Sequence, residues 1–346
     1  MPQDPRVAIV ILNWNGQEFL RKFLPEVIRT SASEAKIIIA DNASTDDSLN
    51  VLKSFGDAVS VIQLDQNYGF TGGYNRALTR VDADYYILLN SDVVVTDNWI
   101  QPVINYMDQH PEVAAAQPKI RSYIDQELLE HAGAAGGYID YLGYPFCRGR
   151  IFNSLEADTL QYNDIRDVFW ATGACMFIRA KDFHTVGVLD EEFFAHMEEI
   201  DLCWRLQQIG KRICVVPESK VFHVGGGTLP KHSPRKTYFN FRNNLMMLHK
   251  NLPLSRLLFV IPLRIILDLV AGLKFMFDGD FADLWAVIRA HGYFYGSIAR
   301  RGELRKQQQR IGKGTIIQGI YNKSLVKEYY LQGNKKFSQM DQEAFS

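Results

Sequence analysis

Four short strand-like runs in the first ninety residues are separated by amphipathic helical patterns. In chain order they are Val7–Leu12, Lys36–Ala40, Val59–Leu64 and Tyr85–Leu89. The last run is wholly apolar or aromatic, which is typical of a strand buried on both faces. Strands that alternate with helices favour a mainly parallel, doubly wound sheet. The predicted fold class is therefore α/β.

The fourth run ends abruptly in the polar tripeptide Asn90-Ser91-Asp92. Open α/β sheets bind their ligands in the crevice at the carboxyl ends of the strands, where Asp92 would lie. Asp41 follows the second run in the same way. The alternative for the tripeptide is an ordinary Asx turn after a strand. The neighbouring segments must decide between a binding site and a turn.

The third run leads into a glycine-rich segment, Asn67–Asn75. Its glycines permit positive φ and close approach of a ligand, and the amides of the following helix would point at an anion. The alternative is a loop that merely turns. The segment is neither a GxGxxG dinucleotide fingerprint nor a GKS/T phosphate loop.

Composition limits the classes of protein to consider. The 346 residues are 47% hydrophobic, which suits a globular chain with a sizeable core in one large domain or two ordinary ones. Lysine and arginine total 38 against 39 acidic residues, so no overall field attracts nucleic acid, and none is predicted as a partner. The four cysteines form no CxxC pair, and the apolar run near the N-terminus is too short for a signal peptide. These features predict reduced thiols in a cytoplasmic protein.

A second cluster of carboxylates lies in the helical pattern Phe193–Arg205. Glu199 falls beside the apolar stripe in the first turn, where it is either functional or a partner of the helix dipole. Asp201 and Arg205 are four residues apart on another face, a spacing that favours a simple ion pair. Downstream, His223 follows an apolar run and precedes three glycines. Such a histidine is more often structural, although the glycines leave room for a ligand.

Taken together, these segments resemble glycosyltransferase family 2, the inverting nucleotide-sugar transferases of the GT-A fold, and most closely its rhamnosyltransferase-like members. The matching pieces follow the family's order from Val7 to Thr228: VAIVILNWNG, IIIADNASTDDS, NYGFTGGYNRA, LLNSDV, WATGACMFIRA and FFAHMEEIDLCWRL. The resemblance implies a GT-A catalytic domain over residues 1–230. It also implies transfer of a sugar from a UDP or dTDP donor to a hydroxyl of a glycan or lipid-linked acceptor, in cell-surface polysaccharide or glycolipid assembly.

The resemblance also assigns the donor side of the site. The residues it places against the nucleotide sugar are Asn13, Asp41, Asn67, Gly72, Asn75, Asn90 and Ser91. Asp41 would accept a hydrogen bond from the base. Asp92 would bind Mg²⁺ or Mn²⁺ through the donor diphosphate, with His223 as a second protein ligand. The family's Asp-x-Asp is Asn90-Ser91-Asp92 here, so one charge is missing from the metal motif.

On the acceptor side, the resemblance implies that Trp170, Gly173 and Glu198 form the wall of the site. Glu199 would be the general base that takes the proton of the attacking hydroxyl. The family usually has aspartate at this position, so Glu198 and Asp201 remain alternatives for the base.

Two other functions remain open from the sequence. A nucleotidyltransferase that makes nucleotide sugars would need a basic glycine-rich loop near the N-terminus, and Val7–Gly16 has none. A non-catalytic nucleotide-sugar-binding protein would explain the changes at Asn90 and Glu199 as loss of activity. Hydrolysis of the donor would separate this last class from an active transferase.

The C-terminal third has a different character. Residues 231–311 are predicted to be helical, and Leu254–Phe277 is strongly apolar but carries too many charges for a transmembrane span. With the basic run that begins at Arg300, this region suits a helix in an anionic membrane interface, peripheral at the inner face of the cell membrane. The alternative is a helical subdomain packed on the catalytic domain or on a second copy of the chain. Residues 312–346 are predicted to be a polar tail.

Overall fold

The computed structural model describes residues 6–225, 233–311 and 316–346. The strands are β1 (Val7–Asn13), β2 (Lys36–Asp41), β3 (Ser60–Gln63), β4 (Tyr85–Asn90), β5 (Val93–Val95), β6 (Val113–Ser122), β7 (Gly137–Asp140), β8 (Pro145–Cys147), β9 (Arg150–Ile151), β10 (Ser154–Leu155), β11 (Arg166–Asp167), β12 (Cys175–Arg179), β13 (Arg212–His223) and β14 (Ile320–Tyr321). The helices are α1 (Gln17–Ser31), α2 (Ser48–Lys53), α3 (Gly69–Leu78), α4 (Gln101–Gln109), α5 (Ala180–Thr185), α6 (Glu198–Gln208), α7 (Pro234–Asn251), α8 (Leu254–Phe277) and α9 (Phe281–Ile311).

The central sheet has the strand order β11-β13-β6-β12-β4-β1-β2-β3, with β5 added on β13. Strands β1 to β4 are parallel where they pair, as the alternation of strands and helices predicts. Strand β12, however, runs antiparallel to both β4 and β6. The sheet is therefore parallel in its N-terminal half and mixed as a whole.

Strand β1 illustrates why these runs form central strands. Ala8 and Val10 belong to the apolar core on one face of the sheet, whereas Ile9 and Ile11 belong to the core on the other face. Successive side chains of a strand point to opposite faces, so an unbroken apolar run needs cover on both. All four side chains are buried. The same holds for Tyr85–Leu89 of β4, which confirms the two-sided burial predicted for that run.

The strand register brings polar residues together at one edge of the sheet. Asn13 pairs with Asp41 at the ends of β1 and β2, and Leu12 pairs with Asn90 at the end of β4. The turn after β4 then leads directly into the short strand β5. The carboxyl ends of three neighbouring strands thus meet where the sequence predicts a ligand.

The largely apolar run Val168–Ile178 has the composition of a strand, but strand β12 begins only at Cys175. Side chains replace the strand ladder just before it: the Thr172 amide donates to Gln117 Oε1 at 2.9 Å, and the Ala174 amide donates to Thr172 Oγ1 at 3.2 Å. These bonds hold residues 171–174 as a loop at the sheet edge. A run of apolar letters alone does not reveal such a loop.

A second sheet, β10-β9-β8-β7-β14, includes a strand from the segment predicted to be a polar tail. Tyr321 and Phe337 of this segment are buried, and their rings pack against Phe146. Residues 316–346 are therefore integrated in the fold. The predicted domain boundaries at 230/231 and 311/312 adjoin or fall on residues outside the described ranges.

Three long helices follow the sheet. The C-terminal half of α7 is buried, and α8 and α9 form a hairpin beside it. Across the described residues, none of the helices combines the length and apolar character that crossing a membrane requires.

Candidate active site

A cavity of about 330 Å³ opens at the polar edge of the central sheet. Its walls come from the ends of β1 and β4, the loop before β12, and the first turns of α3, α6 and α7. Eight of the residues that the sequence assigns to the site line it: Asn67, Asn90, Ser91, Asp92, Gly173, Glu198, Glu199 and His223. The fold thus brings the predicted donor, metal and base residues to one space.

Two predicted donor residues, Asn13 and Asp41, are fully buried behind this lining. The Asn13 Nδ2 donates to Asp41 Oδ1 at 3.0 Å and to Ser44 Oγ at 3.1 Å. Asp41 Oδ2 in turn accepts the Ser44 amide at 3.0 Å. The pair braces the turn after β2, while the next residue, Asn42, reaches the cavity. A base contact by Asp41 stays a prediction.

Gly72, Asn75 and Trp170 also lie off the cavity lining in the described part of the chain. The Asn75 side chain donates to the Leu189 carbonyl at 2.8 Å and accepts its amide at 3.1 Å. Trp170 Nε1 donates to the Tyr138 carbonyl at 2.9 Å. These side chains hold neighbouring loops, and their assigned contacts with donor and acceptor stay predictions.

Glu198 and Glu199 form the first turn of α6, at the wall of the cavity. One carboxylate oxygen of each, Oε2, is buried without a hydrogen-bond partner in the described part of the chain. Burial raises the pKa of Glu199 to about 7. Burial, together with the charge of Glu199, raises the pKa of Glu198 well above its usual range. A carboxylate that titrates near neutral pH can accept a proton and release it again.

Asp201, two residues further along α6, has a different environment. It is fully buried, and its carboxylate accepts from Arg205 Nε at 2.8 Å, Lys250 Nζ at 2.9 Å and Asn251 Nδ2 at 2.7 Å. Burial alone would raise its pKa, but the charges of Lys250 and Arg205 lower it to about 2. The predicted ion pair is confirmed, and Asp201 joins α6 to α7 away from the cavity lining.

Asp92 and His223 are adjacent because β5 pairs with β13, opposing Val93 and His223. Asp92 Oδ1 lies 3.1 Å from His223 Nε2, and Glu130 Oε2 lies 3.2 Å from His223 Nδ1. Burial alone would lower the pKa of His223, but the two carboxylates raise it to about 10. Sequence reasoning missed Glu130, which belongs to no motif and reaches the cavity only through the path of the chain after β6.

This arrangement fits a hard divalent cation in part. An oxygen and an imidazole nitrogen 3.1 Å apart can ligate one ion once the ring has lost its Nε2 proton, and a carboxylate on the far ring nitrogen is the usual orienting partner. Within the described ranges, no set of three or more His, Cys, Asp or Glu side chains is arranged to hold a metal by itself. A cation bound here would thus take its remaining ligands from a substrate and water.

The loop Phe194–Met197, immediately before α6, is strained. Phe194, His196 and Met197 all have positive φ, at 63°, 69° and 72°. Asn243 of α7 holds the loop, because its Nδ2 donates to the carbonyls of Phe193, Ala195 and His196 at 2.8–2.9 Å. Such conformations persist only where neighbouring contacts enforce them.

His196 of this loop lines the cavity with its Nε2 buried and without a hydrogen-bond partner in the described part of the chain. Burial, and then the charge of Lys236, lowers the pKa of His196 to about 4, so the ring is neutral at pH 7. Arg235 and Lys236, in the first turn of α7, add positive charge to the same wall. Sequence reasoning missed all three. Positive φ at His196 leaves no clear pattern in the letters, and Arg235 and Lys236 lie outside the segments that resemble the family.

Space beside Glu199 depends on Gly173. A Cβ at this position would lie 3.2 Å from the Phe70 ring and 3.9 Å from Glu199 Cβ. Glycine therefore keeps the approach to the carboxylate open, between the aromatic ring and the first turn of α6. The predicted wall residue and the predicted base are neighbours.

The model of the family described as glycosyl transferase family 2 matches residues 8–186, just over half of the chain. The chain belongs to glycosyltransferase family 2. The match contains the strand ends, the Asn90-Ser91-Asp92 turn and the loop before β12, whereas Glu199 and His223 lie beyond it. Family membership favours sugar transfer over nucleotidyl transfer.

Two curated relatives and one solved structure are similar to this family 2 chain. It is 25% identical to N-acetylglucosaminyl-diphospho-decaprenol L-rhamnosyltransferase of Mycobacterium tuberculosis, over 63% of this chain and 75% of the relative. It is 24% identical to rhamnosyltransferase WbbL of Escherichia coli, over 73% and 94%. The structure of GalNAc-T7 with UDP, GalNAc and Mn²⁺ matches with a TM-score of 0.56 and 16% identity, over 72% of this chain and 48% of that chain. The fold is GT-A, as the sequence predicts.

Proposed function

We propose that this family 2 transferase is an inverting, metal-dependent hexosyltransferase with Glu199 as its general base. The observation that carries the proposal is the buried, unpartnered Glu199 oxygen in the cavity that also contains Asp92 and His223. The donor is a UDP- or dTDP-sugar, and the acceptor is a hydroxyl of a lipid-linked glycan in cell-surface assembly. The name of the Mycobacterium tuberculosis relative supports this acceptor class, and the names of both rhamnosyltransferase relatives support a similar sugar.

The chemistry assigned to Glu199 is proton acceptance. Its Oε2 takes the proton of the acceptor hydroxyl as that oxygen bonds to the anomeric carbon. The bond from this carbon to the nucleotide diphosphate breaks on the opposite face, with its electron pair leaving on the diphosphate, so the configuration inverts. Burial and the charge of Glu199 raise the pKa of Glu198, which disfavours a second negative charge beside Glu199.

Asp92 and His223 are the residues that would hold Mg²⁺ or Mn²⁺. A bound cation of this kind supplies positive charge that stabilises the leaving diphosphate. The similar structure of GalNAc-T7, which was solved with Mn²⁺ and UDP, supports both the ion and the donor class. Asn90 lacks the charge of the usual motif aspartate, so Asp92 would be the principal carboxylate ligand.

The donor would occupy the side of the cavity formed by Asn67, Asn90 and Ser91. Asn42 organises this side: its Nδ2 donates to Asn67 Oδ1 at 3.1 Å, and its Oδ1 accepts the Tyr68 amide at 3.0 Å. The loop before α3 is therefore held in place before a donor arrives. Preorganised amide groups reduce the ordering cost of binding a diphosphate.

Gly173, Glu198 and Glu199 mark the opposite, acceptor side. A lipid-linked acceptor lies at a membrane surface, so we place the enzyme peripherally at the inner face of the cell membrane. Positive charge from Arg235 and Lys236 on the wall of the cavity suits an acceptor that carries phosphate.

Transfer to a lipid-linked acceptor, with the product configuration read by NMR, tests the proposed function. UDP- and dTDP-sugars are each supplied with Mn²⁺, and the expected product has the anomeric configuration opposite to that of the donor. A product with retained configuration would exclude Glu199 as the base of a single inverting step. Absence of both transfer and donor hydrolysis across the donors would favour a binding protein.

A further inference from the structure

Helix α8 directs two charged residues of its middle turns inward and many of its large apolar residues outward. Arg264 and Asp268 are 3% and 1% exposed. The outward side chains are large and apolar, and they are 37–82% exposed: Leu254, Leu258, Phe259, Ile265, Ile266, Leu269, Val270, Leu273 and Phe277. A helix on the surface of a water-soluble protein normally has the opposite arrangement. The outward side chains from Leu254 to Phe277 are called the apolar face below.

Polar contacts attach the inner side of α8 to the rest of the protein. Arg264 Nη1 donates to Asn244 Oδ1 at 2.6 Å, and Arg264 Nη2 lies 3.2 Å from Asp268 Oδ1. Asp268 Oδ2 lies 3.1 Å from His291 Nε2 of α9. Arg256 Nη2 donates to the Tyr141 carbonyl at 2.7 Å. The orientation of α8 is thus fixed, and rotation of the helix would break these bonds.

The apolar face is long and continuous. Its residues recur at helical spacing through 24 residues, about 36 Å of helix, and the exposed Pro262 lies between Phe259 and Ile265. Exposed Phe281, Trp285 and Ile288 extend apolar surface into the first turns of α9. Monomeric soluble proteins rarely expose apolar surface of this extent, and larger patches mark interaction sites.

We propose that the apolar face docks on an anionic lipid bilayer, with α8 lying in the plane of the interface. Residues 254–311 contain nine lysines and arginines against five acidic residues. Arg264 and Arg301 are buried, whereas Arg289, Arg300, Lys306 and Arg310 are exposed. Of these four, Arg300 lies beside Glu192 and Lys306 beside Glu303. Positive charge beside an apolar helical face, with Trp285 and Tyr295 partly exposed, is the pattern of interfacial helices. The apolar face contains few polar side chains that could form the hydrogen-bonded rim of a protein–protein interface.

The proposed lipid binding by the apolar face rests on the proposed function only for its purpose, which is access to a lipid-linked acceptor. Binding to lipid needs neither donor nor metal, so it can be measured separately from transfer. The two proposals can therefore fail independently.

Flotation of the full chain with vesicles tests the apolar face. Vesicles of phosphatidylcholine with phosphatidylglycerol are compared with vesicles of phosphatidylcholine alone. The double variant Ile266→Glu/Leu269→Glu places two charges on the apolar face, where exposed side chains allow the change without disturbing the core. We expect it to reduce binding to anionic vesicles roughly tenfold or more. The control Ile124→Glu/Leu160→Glu changes two exposed residues of the catalytic domain and should bind as the native chain does.

Each other outcome contradicts a definite part of the proposal. If the intact chain does not float, or if both double variants float equally well, the apolar face does not bind lipid. If sedimentation shows a dimer that only Ile266→Glu/Leu269→Glu dissociates, and vesicles do not bind, the face joins two copies. Equal binding to both vesicle types would remove the requirement for anionic lipid.

Discussion

Two carboxylates on the same helix, Glu199 and Asp201, have opposite environments. Glu199 has a buried oxygen without a partner and a pKa of about 7, whereas Asp201 accepts from three side chains and has a pKa of about 2. A base must take up a proton near neutral pH, and a structural ion pair must not. These environments suit Glu199 to proton acceptance and Asp201 to a structural ion pair.

Glu199→Gln keeps the size of the side chain but removes its ability to accept a proton. We expect turnover to fall by about 10²-fold or more, while donor affinity barely changes. Glu198→Gln is the matched control on the adjacent residue, and it should cost less turnover. Steady-state kinetics together with donor titration measure both effects. Near-normal turnover in Glu199→Gln would show that the base lies elsewhere.

The pH dependence of kcat/KM should follow the protonation of Glu199. Below a pH of about 7 the carboxylate is protonated and cannot act as a base, so kcat/KM should fall on the acid side. The residual activity of Glu199→Gln should lack this acid limb. An acid limb unchanged in the variant would assign the titration to another group.

The same pKa predicts a stability effect of opposite sign. Between pH 4.5 and about 7 the folded protein keeps a proton on Glu199 that the unfolded chain releases, so the free energy of unfolding falls as the pH rises. Glu199→Gln removes this cost and should be more stable than the native chain above pH 7. The difference should vanish below pH 4.5. Urea unfolding at several pH values measures it, and a difference independent of pH would contradict the burial of an ionised carboxylate.

Residue types at strand and helix ends reveal part of the site. Asp92 could be predicted because a buried strand must end at the sheet edge, and Glu199 because it interrupts an apolar stripe. Glu130 and His196 could not be predicted, since only the path of a loop and a strained backbone bring them to the cavity. A glycine-rich segment likewise cannot distinguish Asn67, which lines the cavity, from Asn75, which holds a neighbouring loop.

At the scale of elements, α7 supports the cavity wall that contains Glu198 and Glu199. Asn243 bonds the strained loop before α6, while Lys250 and Asn251 bond Asp201 within α6. Helix α7 thus positions α6 through buried polar contacts both to the loop before α6 and to α6 itself. Removing one partner of such a buried hydrogen bond or ion pair is costly, because the other partner is left buried and unpaired.

Asp201→Asn should therefore destabilise the protein strongly. It leaves Arg205 and Lys250 without their shared buried carboxylate, a loss of about 3–5 kcal/mol in typical cases. The stability that Asp201 contributes is present above pH 3.8 and lost as the pH falls toward 2. Asp278→Asn breaks the exposed pair with Lys274 at the same i, i+4 spacing and should change stability little. Equal urea midpoints for the two variants would contradict the structural role of Asp201.

Element order was predictable where periodicity was strong. The strands β1, β2 and β4 follow from apolar runs that are buried on both faces. The edge strand β3 follows from a shorter run whose side chains are mostly exposed. The late start of β12 depends on Thr172 and Gln117, residues 55 positions apart, and the packing of Tyr321 in a polar segment depends on a strand far upstream. Contacts between distant residues override local pattern in both cases.

At the scale of the molecule, the fold brings the Asp92–His223 pair and Glu199 to one cavity from distant parts of the chain. Asp92 and His223 meet through the pairing of β5 and β13, and Glu199 reaches the same space from α6. The proposed donor, metal and acceptor sites therefore share one edge of one sheet. This arrangement predicts that binding of a nucleotide diphosphate requires a divalent cation.

Calorimetric titration of UDP, dTDP and GDP, each with Mn²⁺ and with chelator, tests that claim most directly. The native chain should bind one of these nucleotides in Mn²⁺ and lose most of its affinity in chelator. Asp92→Ala should weaken binding in Mn²⁺ roughly tenfold or more, whereas Asp97→Ala, which changes an exposed carboxylate off the cavity lining, should leave it unchanged. Equal affinity in Mn²⁺ and in chelator, for both the native chain and Asp92→Ala, would contradict the metal-dependent site.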